Sequence, residues 1–298
     1  MKYKLTIALI TMNRAKQLKL AIESCVAAKL PKKTQFVIVD NGSIDNTKDV
    51  VNSLKSIIDY DVVYHREPEN RGVGTGRNIC FDLSEGEYIF FLDDDAEIPE
   101  ECQKIFFENS IIYLDEHPSV AILTTDVVDK VFGERKIVLS KTRKVDNLPC
   151  AYTFHEGTVF WRNCAFASPV FMDILFGSEH LSVSTVARDK GYDIVFDKNI
   201  YINHNPLVDK WKNKDSAKTA MQAISNTYVI KKIMYPVIFA PLLYLAYKKR
   251  VKNCQIDRQT VKQFSAQQKE VFEKNKNVSK VRVTTIINSF KEFGLTVF

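Results

Sequence analysis

The chain has no CxxC pair, no Gly-x-Gly-x-x-Gly, no P-loop, and no apolar run of the ~20 residues a spanning helix needs. Each absence removes a class. The six cysteines (Cys25, Cys80, Cys102, Cys150, Cys164, Cys254) are scattered, so neither a zinc site nor a disulfide framework is indicated. They read as free thiols in a reducing compartment. The glycines of "GVGTG" (Gly72, Gly74, Gly76) lack dinucleotide spacing and follow the third predicted strand rather than the first. The N-terminal "MKYKLTIALITMNR" is a short apolar run carrying Thr6 and Thr11, which argues against a signal peptide. Disorder is excluded over most of the chain by 45% hydrophobic and 26% charged residues.

What is present is a chain of 298 residues, enough for one large domain or two small ones, with a net charge of +6. Lys and Arg outnumber Asp and Glu from Lys210 onward. A basic tail suits an anionic membrane surface, nucleic acid or a solvated face. Nucleic acid is disfavoured, because the tail's aromatics sit inside an apolar segment instead of alternating with Lys and Arg.

The first hundred residues alternate between strand and helix patterns. Apolar runs at 5–10, 36–39, 61–65 and 88–92 predict four strands. Leu18, Ile22, Cys25 and Val26, then Val50, Val51, Leu54, Ile57 and Ile58, recur at helical spacing, and a third helix is predicted over 76–83. The expected fold is α/β, a mostly parallel sheet with helices on both faces, followed by a helical C-terminal tail.

In such sheets ligands bind beyond the carboxyl ends of the strands. Four polar clusters fall there: "TMNR" (Thr11, Asn13, Arg14), "DNGS" (Asp40, Asn41, Gly42), "HREPENRG" and "DDD" (Asp93, Asp94, Asp95). Arg77 and Asn78, in the first turn of the third helix, are placed to meet a phosphate. Three adjacent carboxylates suit Mg²⁺ or Mn²⁺, which binds one or two carboxylates and completes its shell with substrate phosphates. The plainer alternative has Asp95 or Glu97 capping a helix that starts near Pro99.

The order "ITMNRAKQLKLAIES", "FVIVDNGSIDNT", "NRGVGTGRNICFDLSEGEYIFFLDDD" resembles family 2 glycosyltransferases, inverting enzymes of GT-A fold, closely over residues 4–99 and more loosely to His204. The resemblance implies transfer of a sugar from a nucleotide-sugar to a saccharide or polyprenyl-linked saccharide acceptor, with Mn²⁺ or Mg²⁺. It places Thr11, Asn13 and Arg14 in the first nucleotide loop, where Met12 replaces a common tyrosine. It puts Asp40 against a uracil or thymine ring, Arg77 near base and phosphates, Asp94 on the ribose and metal, and Asp95 on the metal. Asp93 becomes an additional charge near the sugar or ribose.

The acceptor half of the family carries a Glu-Asp pair, a helix, Gly-Tyr, a strand and a His. "SEHLSVSTVARDKGYDIVF" has that layout, but His180 stands where the general-base aspartate is expected. Glu179 and His180 are both candidates for the base, and His204 for a further metal or phosphate ligand. The expected organisation is a catalytic domain over 1–209 (donor half about 1–99, acceptor half about 100–209) and a basic helical region over 210–298. The readings to be set against transfer are an inactive nucleotide-sugar-binding module and a nucleotidyltransferase. The stretch 125–155 has no assignable role.

In the tail, residues 233–247 are all apolar, interrupted by Pro236 and Pro241 and flanked by Lys and Arg. Too short to span, 231–250 is expected either to lie in the interface of an anionic membrane, peripheral to the cytoplasmic face, or to pack as a buried hairpin. Val281, Val283, Ile286, Ile287, Phe290 and Phe293 form an amphipathic terminal helix, expected to dock on membrane, domain or a second copy of the chain.

Overall fold

The computed structural model describes residues 1–129, 131, 133, 136–174, 177–206 and 216–298. β1 (Tyr3–Thr11), β2 (Thr34–Asp40), β3 (Asp61–Arg66) and β4 (Gly86–Asp93) pair in parallel in the order β3-β2-β1-β4. They are linked by α1 (Ala15–Ala27), α2 (Thr47–Lys55) and α3 (Val73–Leu83). Both faces are covered, so side chains of each strand alternate between two cores. Phe36 and Ile38 of β2, with Tyr88, Phe90 and Leu92 of β4, join Leu18, Ile22, Val51 and Leu54 on one face. Val37, Val39, Ile89 and Phe91 join Cys80 and Phe81 on the other.

Two predicted helices shift at their ends. The third starts at Val73, just after Gly72 at φ 86°, a left-handed turn that a glycine adopts without strain. The second stops before Ile57 and Ile58, and Ile57 is exposed.

Beyond β4 come β5 (Ala96–Glu97), α4 (Glu100–Gln103), α5 (Phe106–Glu116), β6 (Val120–Asp129), β7 (Leu139–Val145), β8 (Leu148–Ala151) and β9 (Thr158–Arg162). α6 (His180–Asp189) and β10 (Asp193–His204) complete this part. β9 inserts antiparallel between β4 and β6, and β10 runs parallel to β6. Asp95 and Glu97 do not cap the short helix: Pro99 occupies the cap position before α4, no side chain caps it, and Glu97 accepts from Asn205 instead.

The tail folds as α7 (Ser216–Met234), α8 (Ala240–Asn253), α9 (Arg258–Lys274) and α10 (Val283–Phe293). The expected boundary at 209/210 lies outside the described residues. No helix among the described residues is long and apolar enough to cross a membrane. The stretch 231–250 is buried in part, as the hairpin expectation has it, and exposed in part. Ile233, Met234, Tyr235, Leu243 and Tyr247 are buried, whereas Val237 and Ile238 are 73% exposed and Leu242, Tyr244 and Leu245 also face outward. Pro236 ends α7, and Pro241 sits in the first turn of α8, where a missing N–H costs nothing. α10 docks on the domain: Arg282 N–H and the Thr285 hydroxyl both donate to Asp189.

Candidate active site

The site is assembled where β1, β2 and β4 end together. Asn41 N–H donates to the Thr11 carbonyl (2.9 Å), tying the first two loops. Asp40 is 1% exposed; its Oδ1 accepts Ser43 N–H (2.7 Å) and its Oδ2 accepts the Tyr64 hydroxyl (2.6 Å). Burial, then the Asp40 contact, pushes the Tyr64 hydroxyl above its ordinary value, so it stays a donor. Asn13, at φ 55°, completes the wall, with its N–H on Ser43 Oγ (2.9 Å) and its Oδ1 accepting Ile44 N–H (2.8 Å). Met12 and Ile44 beside it are exposed.

Of the expected donor-binding residues, Asn41 and Asn78 use their side-chain amides inside the protein, and Gly42 packs closely against backbone. Asn41 bonds Asn70, Gly72 and Arg71. Gly42, at φ 86°, lies where a Cβ would come 2.9 Å from Glu69 backbone. Asn78 donates to the Phe171 carbonyl and accepts from Val170 and Phe171 N–H, clamping that segment.

At the end of β4, ligand atoms of Asp93, Asp95 and His204 lie within 4.8 Å of one another. β5 creates this proximity by pairing with the last residues of β10, which sets His204 opposite Ala96. His204 Nε2 is 3.4 Å from Asp95 Oδ1, and its Nδ1 is 2.7 Å from Asp129 Oδ2 at the end of β6. Asp129, accepting from Nδ1–H, turns the Nε2 lone pair toward the cluster, as carboxylates do behind metal-bound imidazoles. Two carboxylates and an imidazole suit Mn²⁺ or Mg²⁺ with phosphate oxygens as the remaining ligands.

Asp94, read from sequence as sharing the metal, lies outside that group, and Arg14 Nη1 donates to both Asp94 Oδ1 (2.8 Å) and Asp95 Oδ2 (2.7 Å). Burial pushes the Asp94 carboxyl up to about 6 against the pull of Arg14. Burial also raises Asp95, but His204 and Arg14 outweigh it and hold that carboxyl below its usual range.

Arg77 is buried and reaches inward. Its Nη2 is 3.1 Å from Asp93 Oδ1 and its Nη1 is 3.6 Å from Oε2 of Glu156, a residue the sequence reading missed. Glu156 Oε1 also accepts His180 N–H (2.7 Å) and faces His180 Nδ1 (2.8 Å). Burial works to raise Glu156, yet His180 and Arg77 hold it well below the usual carboxylate range. Glu179 behaves oppositely. It is 1% exposed, and burial together with the Glu156 charge pushes it up to about 8. Its Oε1 accepts Gly177 N–H (2.6 Å), while Oε2 has no hydrogen-bond partner.

Residues 6–165 match the model of Glycosyl transferase family 2. Among curated relatives, a poly(ribitol-phosphate) beta-glucosyltransferase of Bacillus spizizenii is 30% identical over 33% of this chain and 16% of its own length. A GalNAc(5)-diNAcBac-PP-undecaprenol beta-1,3-glucosyltransferase of Campylobacter jejuni is 32% identical over 32% of this chain and 30% of its own. The chain thus aligns with less than a third of the length of either. Among solved structures, Staphylococcus aureus TarS 1-349 in complex with UDP-GlcNAc superposes with a TM-score of 0.65 at 14% identity, over 99% of this chain and 89% of that one. The likeness shows a GT-A fold. With the family match covering more than half of its length, the chain belongs to glycosyl transferase family 2.

Proposed function

We propose that the protein is a metal-dependent inverting glycosyltransferase, moving a sugar from a UDP- or dTDP-linked donor to a saccharide or polyprenyl-linked saccharide. The observation that carries this reading is the cluster of Asp93, Asp95 and His204, set at the same strand edge as Asp40 and joined through Arg77 and Glu156 to His180. The UDP-GlcNAc complex of a structural neighbour supports a uridine donor. The undecaprenol-linked acceptor named for one relative supports a lipid-linked acceptor.

Asp40 would accept an N–H of the base, and Arg14 would leave the carboxylates to face the diphosphate. Asp93, Asp95 and His204 would hold the cation, which supplies Lewis-acid stabilisation of the departing diphosphate. Of the two candidate bases we assign His180. Glu179 is buried and kept protonated near neutrality, whereas His180 presents Nε2 from a partly exposed ring. In the reaction Nε2 takes the acceptor hydroxyl proton, the oxygen bonds to the anomeric carbon, and the carbon–phosphate oxygen bond breaks with its electron pair leaving on the diphosphate.

We also assign the outward residues of 231–250 to peripheral contact with the cytoplasmic face of an anionic membrane. The exposed apolar side chains beside Lys248 and Lys249 support this contact.

The test is a panel of nucleotide-sugars with Mn²⁺ and lipid-linked or soluble saccharide acceptors, followed by product stereochemistry. Turnover with inversion is expected, lost with a chelator and reduced about 100- to 10,000-fold in His180→Ala. Ligand-induced stabilisation without turnover would identify an inactive binding module.

A further inference from the structure

The acidic residue at 156 has a geometry that hydrogen bonding to helix α6 alone does not require. One oxygen, Oε1, receives both the His180 backbone N–H (2.7 Å) and His180 Nδ1 (2.8 Å). The other faces Arg77 Nη1 at 3.6 Å. The ring of Phe154, two residues earlier on the same segment, packs edge-on against the imidazole (6.1 Å, 72°). The imidazole is therefore fixed by a carboxylate at Nδ1 and an aromatic edge beside it, both from the residues leading into β9. A carboxylate at Nδ1 selects the tautomer with its proton there and the lone pair on Nε2. It also gives the imidazolium a counter-charge as it forms, as in hydrolase triads where a carboxylate orients the histidine base.

We propose that Glu156 is a positioning residue that fixes the tautomer of His180 and stabilises its protonated form during transfer. This rests on the assignment of His180 as base and adds to it the residue that makes a histidine serviceable there. The titratable and charged groups around the pair are the Arg77 guanidinium from α3, on the Glu156 side, and the Glu179 carboxyl preceding α6, which burial and the Glu156 charge keep protonated. Arg77 also touches Asp93, so the segment carrying Glu156 connects the base to the donor carboxylates.

Glu156→Gln and His180→Ala are compared in the full-length protein with saturating donor and Mn²⁺. In Glu156→Gln, kcat is expected to fall about 100-fold, within the contribution of a positioned base, while KM for the donor changes less than about threefold. The acidic limb of its kcat–pH profile is expected to move to lower pH, because the imidazolium has lost its counter-charge. Donor-induced thermal stabilisation and the circular-dichroism spectrum read the fold and the Arg77–Asp93 contact separately. If His180→Ala keeps wild-type kcat, the base assignment falls and this inference with it. If His180→Ala is inactive but Glu156→Gln keeps wild-type kcat and profile, only the role of Glu156 is refuted. A Glu156→Gln protein that loses donor affinity and kcat together, with an unmoved profile, makes Glu156 a structural counter-ion of Arg77 and also overturns the proposal.

Discussion

Gly157 shows how tightly the donor carboxylates are held. Its φ is 81°, its carbonyl accepts Asp93 N–H (3.1 Å), and a Cβ added there would lie 2.0 Å from Asp93 Oδ2. Gly157→Ala should therefore displace the Asp93 carboxylate and weaken Mn²⁺ binding in the presence of UDP by about 10- to 100-fold. Titration calorimetry measures the affinity, and an unchanged value would remove Asp93 from the cation site. Glu179 offers a second prediction at this scale. Its folded pKa of about 8 lies above the 4.5 of a free glutamate, so between those values the folded state holds a proton that the unfolded chain releases. That contribution to stability is full below 4.5 and is lost as pH rises through 8. Glu156 shifts the other way, and its contribution is lost only as pH falls below 4.5, outside this window. Glu179→Gln should flatten the fall in melting temperature between pH 5 and 8; a slope equal to wild type would contradict the raised pKa.

Among the elements, the four parallel strands were legible because each is a short apolar run ending in polar residues at a common edge. The positions of Asp40 and Asp95 at that edge were legible for the same reason, and the resemblance supplied the roles expected of them and of His204. Glu156 and Asp129 were not legible. Each is a single acidic residue in the stretch without assignable pattern or just after it, and each gains meaning only when β9 and β6 are set beside β4 and β10. The grouping of Asp93, rather than Asp94, with Asp95 and His204 was equally hidden, since three adjacent aspartates look alike until β5 and β10 bring His204 beside them. Asn78 illustrates a polar side chain whose work is structural. Asn78→Ala removes three bonds to the segment at 170–171 and should cost about 1–3 kcal/mol in urea denaturation. On α8 and the turn before it, Ile238→Asp with Leu245→Asp should abolish sedimentation with anionic vesicles and leave the melting temperature within about 2 °C, these side chains being largely exposed. Undiminished binding would dismiss the membrane face.

For the whole molecule, the tail is part of the fold and cannot be treated as an appendage. Val229, Ile230, Ile233 and Phe293 share a core with Tyr152, Met172, Ile174 and Leu181, which belong to the acceptor half. A chain truncated after Pro206 would expose this surface, and it is expected to aggregate or melt at least several degrees lower in a scanning-calorimetry trace. A truncated protein as stable as the full chain would show the helical region to be separable.

The antiparallel insertion of β9 has a consequence for recombination between relatives. The neighbouring residues Glu156 and Gly157 serve different partners, one the His180 imidazole and the other Asp93. A crossover at about residue 100, the expected division between donor and acceptor halves, would separate Asp93 from the glycine that makes room for it. Grafts that alter donor choice should therefore carry the segment at 154–162 along with the first hundred residues, so the heritable unit of specificity is discontinuous.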